Sequence, residues 1–212
     1  MRTLVIETAT AACSVALIED GRVIDRAHDV VGRGHAEKLV PMIAALAQGG
    51  RADRILVDCG PGSFTGIRVG LAAALGLGFG WQVPVTGYQS LALVAAAALA
   101  AHDLPEVCVV LEGGHGEVFL QPFAADLSAL APAASLKPDI ALTMLEGRTA
   151  VGTGVHRLTA LAPDLPVIEA LPDAAEAHRL PAALADLPPR PIYGRAPDAK
   201  PPAPRAAIGV AA

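Results

Sequence analysis

Apolar positions along this chain fall into short strand-like runs and longer helical ones. Residues 4–7 and 14–18 are strand-like, and Glu19-Asp20-Gly21-Arg22 places an Asp-Gly hairpin turn before Val23-Ile24. Ile55-Leu56-Val57-Asp58-Cys59 has the length and β-branching of a buried strand, and residues 71–77 read as helix from propensity. Between them lies the glycine-rich stretch Gly60-Pro61-Gly62-Ser63-Phe64-Thr65-Gly66-Ile67-Arg68-Val69-Gly70. Residues 35–47 predict a second helix, apolar nearly all round from Leu39 onward, with Pro41 expected to kink it or delay its start. Such a helix must be buried on more than one side. One side has this chain's own sheet to pack on, but little chain remains to cover the other.

Further along, Val83-Pro84-Val85 is a short strand and Ser90 can cap the alanine-rich helix at 91–101. The composition shifts after His102-Asp103-Leu104-Pro105, which places a domain boundary near Leu104. Beyond it, residues 107–111, a glycine turn at 112–116 and a return at 117–123 repeat the opening strand-turn-strand. An Ala/Pro/Ser-rich connector covers 124–138, residues 140–145 show no decisive period, and residues 149–154 read as a strand entering a glycine turn. A helix at 174–180 is separated by Pro181 from 182–187. The last stretch, with Pro197, Pro201, Pro202 and Pro204, reads as irregular.

The glycine loop joins a strand to a helix. Gly60 and Gly62 permit backbone angles that other residues avoid, and Pro61 fixes φ. Ser63 or Thr65 can cap the helix, so free N–H groups converge where an anion could sit. Neither common phosphate motif fits. A P-loop needs Lys-Ser/Thr after the last glycine, but Ile67-Arg68 follows Gly66, and the dinucleotide fingerprint finds Thr65 at its sixth position. Gly62, Gly66, Gly70, Ala74 and Gly78 stand four apart and would make one smooth helix face. That face packs either on this chain's own sheet or against another chain.

Composition narrows the function classes. With 212 residues and 53% hydrophobic content the chain has a core large enough to fold without disulfide or metal staples. A net charge of −5 and 3% aromatic content argue against a free-standing RNA binder. Cys13, Cys59 and Cys108 are scattered in predicted strands and read as buried reduced thiols of a cytoplasmic protein. The start turns acidic at Glu7, too early for a signal peptide. Residues 69–81 and 91–101 are each shorter than the ~20 needed to span a bilayer, so no membrane role is expected. None of His28, His35, His102, His115, His156 or His178 forms a His-x-x-x-His pair, and no metal site is expected.

Residues 60–70 resemble the signature of the TsaB (YeaZ) family, a subunit of the bacterial machinery that makes threonylcarbamoyladenosine in tRNA. Supporting landmarks are Ile6-Glu7-Thr8-Ala9-Thr10, Cys13-Ser14-Val15-Ala16-Leu17, Gly116-Glu117-Val118, Val151-Gly152-Thr153-Gly154 and Pro191-Ile192-Tyr193-Gly194-Arg195. The resemblance implies an α/β chain of actin-like ATPase, ribonuclease-H-like fold, with two subdomains that each hold a mixed sheet flanked by helices. These would be residues 1–104, carrying the partner-binding helices, and a smaller 105–195, followed by a Pro/Ala-rich tail at 196–212. In that fold an Asp ends the first strand, where it can hold metal-bound water near phosphates; here Glu7 takes the place. Glu7, Thr8, Gly60, Gly62 and Ser63 are the candidate nucleotide loop. The family's Asp-Ala-Arg turn is replaced by Glu112-Gly113-Gly114, which lacks the basic group. The catalytic paralogue's paired histidines have no counterpart in Thr86-Gly87-Tyr88-Gln89-Ser90-Leu91.

The resemblance also implies partners. The first two helices would dock on their counterparts in the catalytic paralogue TsaD through Leu39, Met42, Ile43, Arg68, Leu71 and Leu75. The ATPase TsaE would join where the pair meets, tRNA would be reached only indirectly, and the chain alone would self-pair. No cofactor is required by the chain itself; ATP is used by the complex, and no catalytic residue is assigned. The alternative is a stand-alone actin-like-fold ATPase or peptidase-like enzyme built on Glu7 and the glycine loop.

Overall fold

The computed structural model describes residues 1–194; the tail expected from residue 196 lies outside the described residues. Strands β1 (Arg2–Glu7), β2 (Ala12–Glu19) and β3 (Arg22–Val30) form an antiparallel meander. Asp20 and Gly21 both take positive φ, 48° and 77°, as a two-residue hairpin turn requires. β3 is longer than Val23-Ile24 alone suggests. It is the charged, mostly exposed edge of its sheet, so no alternation marks it in the sequence. Helix α1 (His35–Ala45) leads to β4 (Arg54–Asp58), α2 (Phe64–Trp81), β5 (Val85–Tyr88) and α3 (Ser90–His102). The first sheet runs β3-β2-β1-β4-β5, with β1, β4 and β5 parallel.

The second half repeats this plan. β6 (Glu106–Glu112), β7 (Val118–Ala124) and β8 (Ala134–Leu136) are antiparallel. After α4 (Pro138–Met144) come β9 (Ala150–Val151), α5 (Val155–Thr159) and β10 (Val167–Ile168). The order β8-β7-β6-β9-β10, with β6, β9 and β10 parallel, is the first sheet's order again.

Period-2 alternation assigns the faces. Leu4, Ile6, Val15, Leu17, Ile55 and Val57 pack under α1 and α2, whereas Val5, Ala16, Ile18 and Leu56 face the cluster that α3 forms with residues 174–185. In the second sheet Cys108, Val110, Val118 and Leu120 face α4 and α5, and Val107, Val109, Leu111, Phe119 and Phe123 face α3. Helix α3 therefore lies between the sheets. A helix enclosed on both sides has no use for a polar face, and Leu91, Ala92, Leu93, Val94, Ala95 and Ala96 are all buried.

The chain then turns back. The segment expected as a helix at 174–180 is a 3₁₀ turn, Ala174–Arg179, and Pro181 separates it from a second, Ala182–Leu184. It packs on the first sheet. Ser14 Oγ donates to Asp173 Oδ1 at 3.1 Å and accepts from Ala174 N at 2.9 Å. Leu187 bridges Gly87, and Ile192 N donates to Cys59 O at 2.7 Å. Residues 173–194, which the sequence assigns to the second subdomain, thus cover the first.

Helix α1 starts at His35, not late, and continues through Pro41. Its Leu39 and Ile43 lie inside the chain's own core; Val40 and Pro41 are exposed. Helix α2 has 18 residues, longer than its apolar run suggests, and is long and apolar enough to cross a membrane by length and composition. Its small-residue face is nevertheless seated on this chain's own sheet. A Cβ at Gly66 would meet the Thr8 carbonyl, one at Gly70 the Thr8 hydroxyl, and one at Gly78 the Val85 side chain. Of the two readings of that face, the structure selects close packing on its own sheet.

Candidate functional site

β4 enters the glycine loop through the cis Gly60-Pro61 bond, and the chain emerges as α2. Gly60 has φ +95°, and a side chain there would strike Ile67 and the Ile192 carbonyl. Ser63 caps α2 by accepting from Gly66 N at 3.2 Å, leaving Thr65 as the second helical residue. The loop is stitched to the end of β1. Ser63 N donates to Ala9 O at 2.6 Å, and Thr8 Oγ1 donates to Gly66 O at 2.8 Å.

This seam forms one wall of a cleft of about 860 Å³ between the two halves. Residues 9–11, Arg33, Gly62, Ser63, Phe64 and Arg68 line that wall; residues 112–115, Phe119, Ser135 and Thr153 line the other. At the mouth the Phe64 and Tyr193 rings stack with centroids 5.3 Å apart, and the Arg68 guanidinium lies 3.2 Å from the Phe64 centroid. In the 112–114 turn, Glu112 pairs with Arg157 of α5. The glycine pair at 152 and 154 packs against the β6 backbone at Val110 and Leu111.

Of the candidate nucleotide loop, only Gly62 and Ser63 reach the cleft; Glu7, Thr8 and Gly60 are buried beneath it. Glu7 Oε1 accepts from Ala9 N at 2.9 Å, and Tyr88 Oη donates to Glu7 Oε2 at 3.0 Å. Beside it, Asp58 Oδ1 accepts from Gly60 N at 2.9 Å, and the Ser90 hydroxyl lies 2.9 Å from both Asp58 oxygens. Glu7 and Asp58 follow Ile6 and Val57, which are partners in the β1–β4 register. Burial, then the neighbouring Asp58 charge, raises the Glu7 carboxyl well above the ordinary range; burial pushes Asp58 up to about 6. Burial likewise raises the Tyr88 phenol. With its oxygens committed inside the fold, Glu7 has no access to a metal in the cleft. Among the described residues no three His, Cys, Asp or Glu side chains gather as a ligand set. His35, buried at the start of α1, bonds the Ala12 carbonyl at 3.1 Å.

The partner-facing residues need correcting. Leu39, Ile43 and Leu71 are packed in this chain's core and Met42 is half-buried. Arg68 and Leu75 do face outward. They belong to a stripe that the sequence reading missed: Phe64 at 60% exposure, Leu75 at 47% and Phe79 at 88%, with Val40 of α1 at 56%. The only sequence signal for this stripe was the i, i+4, i+11, i+15 spacing of large side chains opposite the glycines. Asp58 and Tyr88 were missed as well, and Ser90, expected to cap α3, is instead its first residue and turns its hydroxyl to Asp58.

A doubled β-β-β-α-β-α-β plan, with a cleft between the halves, defines the actin-like ATPase, ribonuclease-H-like class of proteins. Residues 29–144 match the family model described as "TsaD: tRNA N6-adenosine threonylcarbamoyltransferase". The TsaB protein of Escherichia coli K12, named for tRNA threonylcarbamoyladenosine biosynthesis, is 34% identical over 168 residues, covering 73% of this chain and 72% of that protein. The YeaZ structure from Pseudomonas aeruginosa superposes with a TM-score of 0.75 at 28% identity, covering 91% of this chain and 99% of that one. A tRNA N6-adenosine threonylcarbamoyltransferase from Solidesulfovibrio magneticus is 34% identical over 152 residues, covering 61% of this chain and 41% of its own length. The chain belongs to the TsaB (YeaZ) family.

Proposed function

We propose that this chain acts in tRNA threonylcarbamoyladenosine biosynthesis as a non-catalytic subunit that supports a TsaD-type catalytic paralogue. The observation that carries the reading is the apolar outer face of α1 and α2. Phe64, Leu75 and Phe79 are exposed along α2, and Val40 is exposed on α1. Large apolar side chains left exposed along a helix suit a protein–protein contact. Similarity both to TsaB and to a TsaD-type enzyme fits a pair of related chains meeting through equivalent helices. In this reading TsaE joins at the edge of the pair and ATP is consumed by the complex. The acidic chain reaches tRNA through its partners in the cytoplasm and self-pairs when alone. The enzyme alternative is weakened because Glu7, its carboxylate, is sealed under the loop.

Co-expression with the TsaD-type protein of the same genome, followed by gel filtration, tests this. Leu75→Asp and Phe79→Asp should each leave the circular dichroism unchanged and abolish co-elution, since an unpaired carboxylate in an interface costs several kcal/mol. Ile43→Asp is a folding control and should yield no folded chain. Co-elution of both surface variants at the wild-type position would refute the interface.

A further inference from the structure

Arg68 is the only charged residue among the 18 of α2. It stands on the helix's outer side, with Phe64 one turn before it and Ala72, Leu75 and Phe79 after it, all of them exposed. Its guanidinium lies 3.2 Å from the Phe64 ring centroid and 5.2 Å from that of Tyr193. Among the described residues no carboxylate lies within ion-pair distance of it. Water therefore serves this cation in the free chain.

A protein that covers the stripe removes that water, and a ring face returns less than the burial of an unpaired cation costs. At 3.2 Å the guanidinium has room only to lie flat on the Phe64 ring, so its N–H edge is directed away from the ring. A flat guanidinium with its edge open is the form that engages a carboxylate through two parallel N–H donors. A second copy of this chain is poorly matched to it. Its α2 would bring another Arg68 and no acid, and Glu37 is the only acidic residue of its α1. We propose that the partner seated on this stripe carries a carboxylate that accepts both hydrogen bonds from Arg68, and that this one polar contact sets the register of an otherwise apolar interface. The inference rests on the partner reading above and names the group that the partner must bring.

The test titrates the full chain into the TsaD-type protein of the same genome by calorimetry. Arg68→Met keeps an apolar stem and removes the cation; it should fold, and should weaken binding by on the order of thirtyfold or more. Arg68→Lys keeps the charge without the planar fork and should recover only a minor part of that loss. Arg68→Glu should abolish binding, and replacing one acidic residue of the partner's first two helices by Arg should restore it. Wild-type affinity in Arg68→Met, full recovery in Arg68→Lys, or the lack of any restoring substitution each overturns the proposal. So does a self-pair weakened by Arg68→Met while the mixed pair is untouched, which would make the occupant a second copy. The partner reading fails separately, when Leu75→Asp co-elutes like wild type. If Leu75→Asp blocks co-elution and Arg68→Met binds normally, only the carboxylate is wrong.

Discussion

Asp58 ties the stability of this fold to pH at the level of one side chain. Its carboxyl is pushed by burial from 3.8 up to about 6, so between these values the folded chain holds more protons than the unfolded one. Stability contributed here is present at low pH and is lost as pH rises through about 6; Glu7, raised further, extends the loss upward. Urea midpoints measured from pH 4.5 to 8 should therefore fall with rising pH, and Asp58→Asn should flatten the part of the slope that lies below about 6. A slope identical in the variant would mean that Asp58 does not titrate in this window. None of this was legible in the sequence. Glu7 looked like the acid of a phosphate site because it stands where the resembled fold ends its first strand in Asp. Only the pairing of β1 with β4, and of β4 with β5, brings Asp58 and Tyr88 to its side.

Helix α2 shows how far sequence patterns reach at the scale of an element. Its existence, its serine cap and its small-residue face followed from spacing and propensity. Which apolar side chains of α1 and α2 point outward did not, because a helix that is apolar nearly all round gives the same wheel in either orientation. The glycines separate the two sides cleanly. Gly66→Ala places a methyl against the Thr8 carbonyl, a backbone atom that cannot swing away, and should destabilise the chain by about 1–3 kcal/mol in urea titration. Gly76→Ala and Gly80→Ala meet nothing within 4 Å and should instead stabilise it by about 0.5–1 kcal/mol each. If Gly76→Ala proved as damaging as Gly66→Ala, the outer side of α2 would already be covered within the chain.

For the whole molecule, α3 is the joint between two copies of one plan. The doubling was legible as a repeated strand-turn-strand, and the boundary near Leu104 fell in the link from α3 to β6. The return of residues 173–194 to the first sheet was not, since 3₁₀ turns and irregular backbone carry no period that names their docking site. Leu93 is fully buried in the cluster that α3 shares with both sheets. Leu93→Ala should cost about 2–5 kcal/mol and lower the melting of both halves in one cooperative transition. Two separated transitions in calorimetry would show that the halves fold independently.

The stitching of residues 173–192 onto Ser14, Gly87 and Cys59 also sets an order of events at the ribosome. The part of the opening sheet's face that residues 173–192 cover waits while about eighty further residues are synthesised. At bacterial elongation rates of about 5–20 residues per second the delay lasts several seconds. During that interval the nascent chain displays oily surface of the kind a holding chaperone would shield until the late segment arrives.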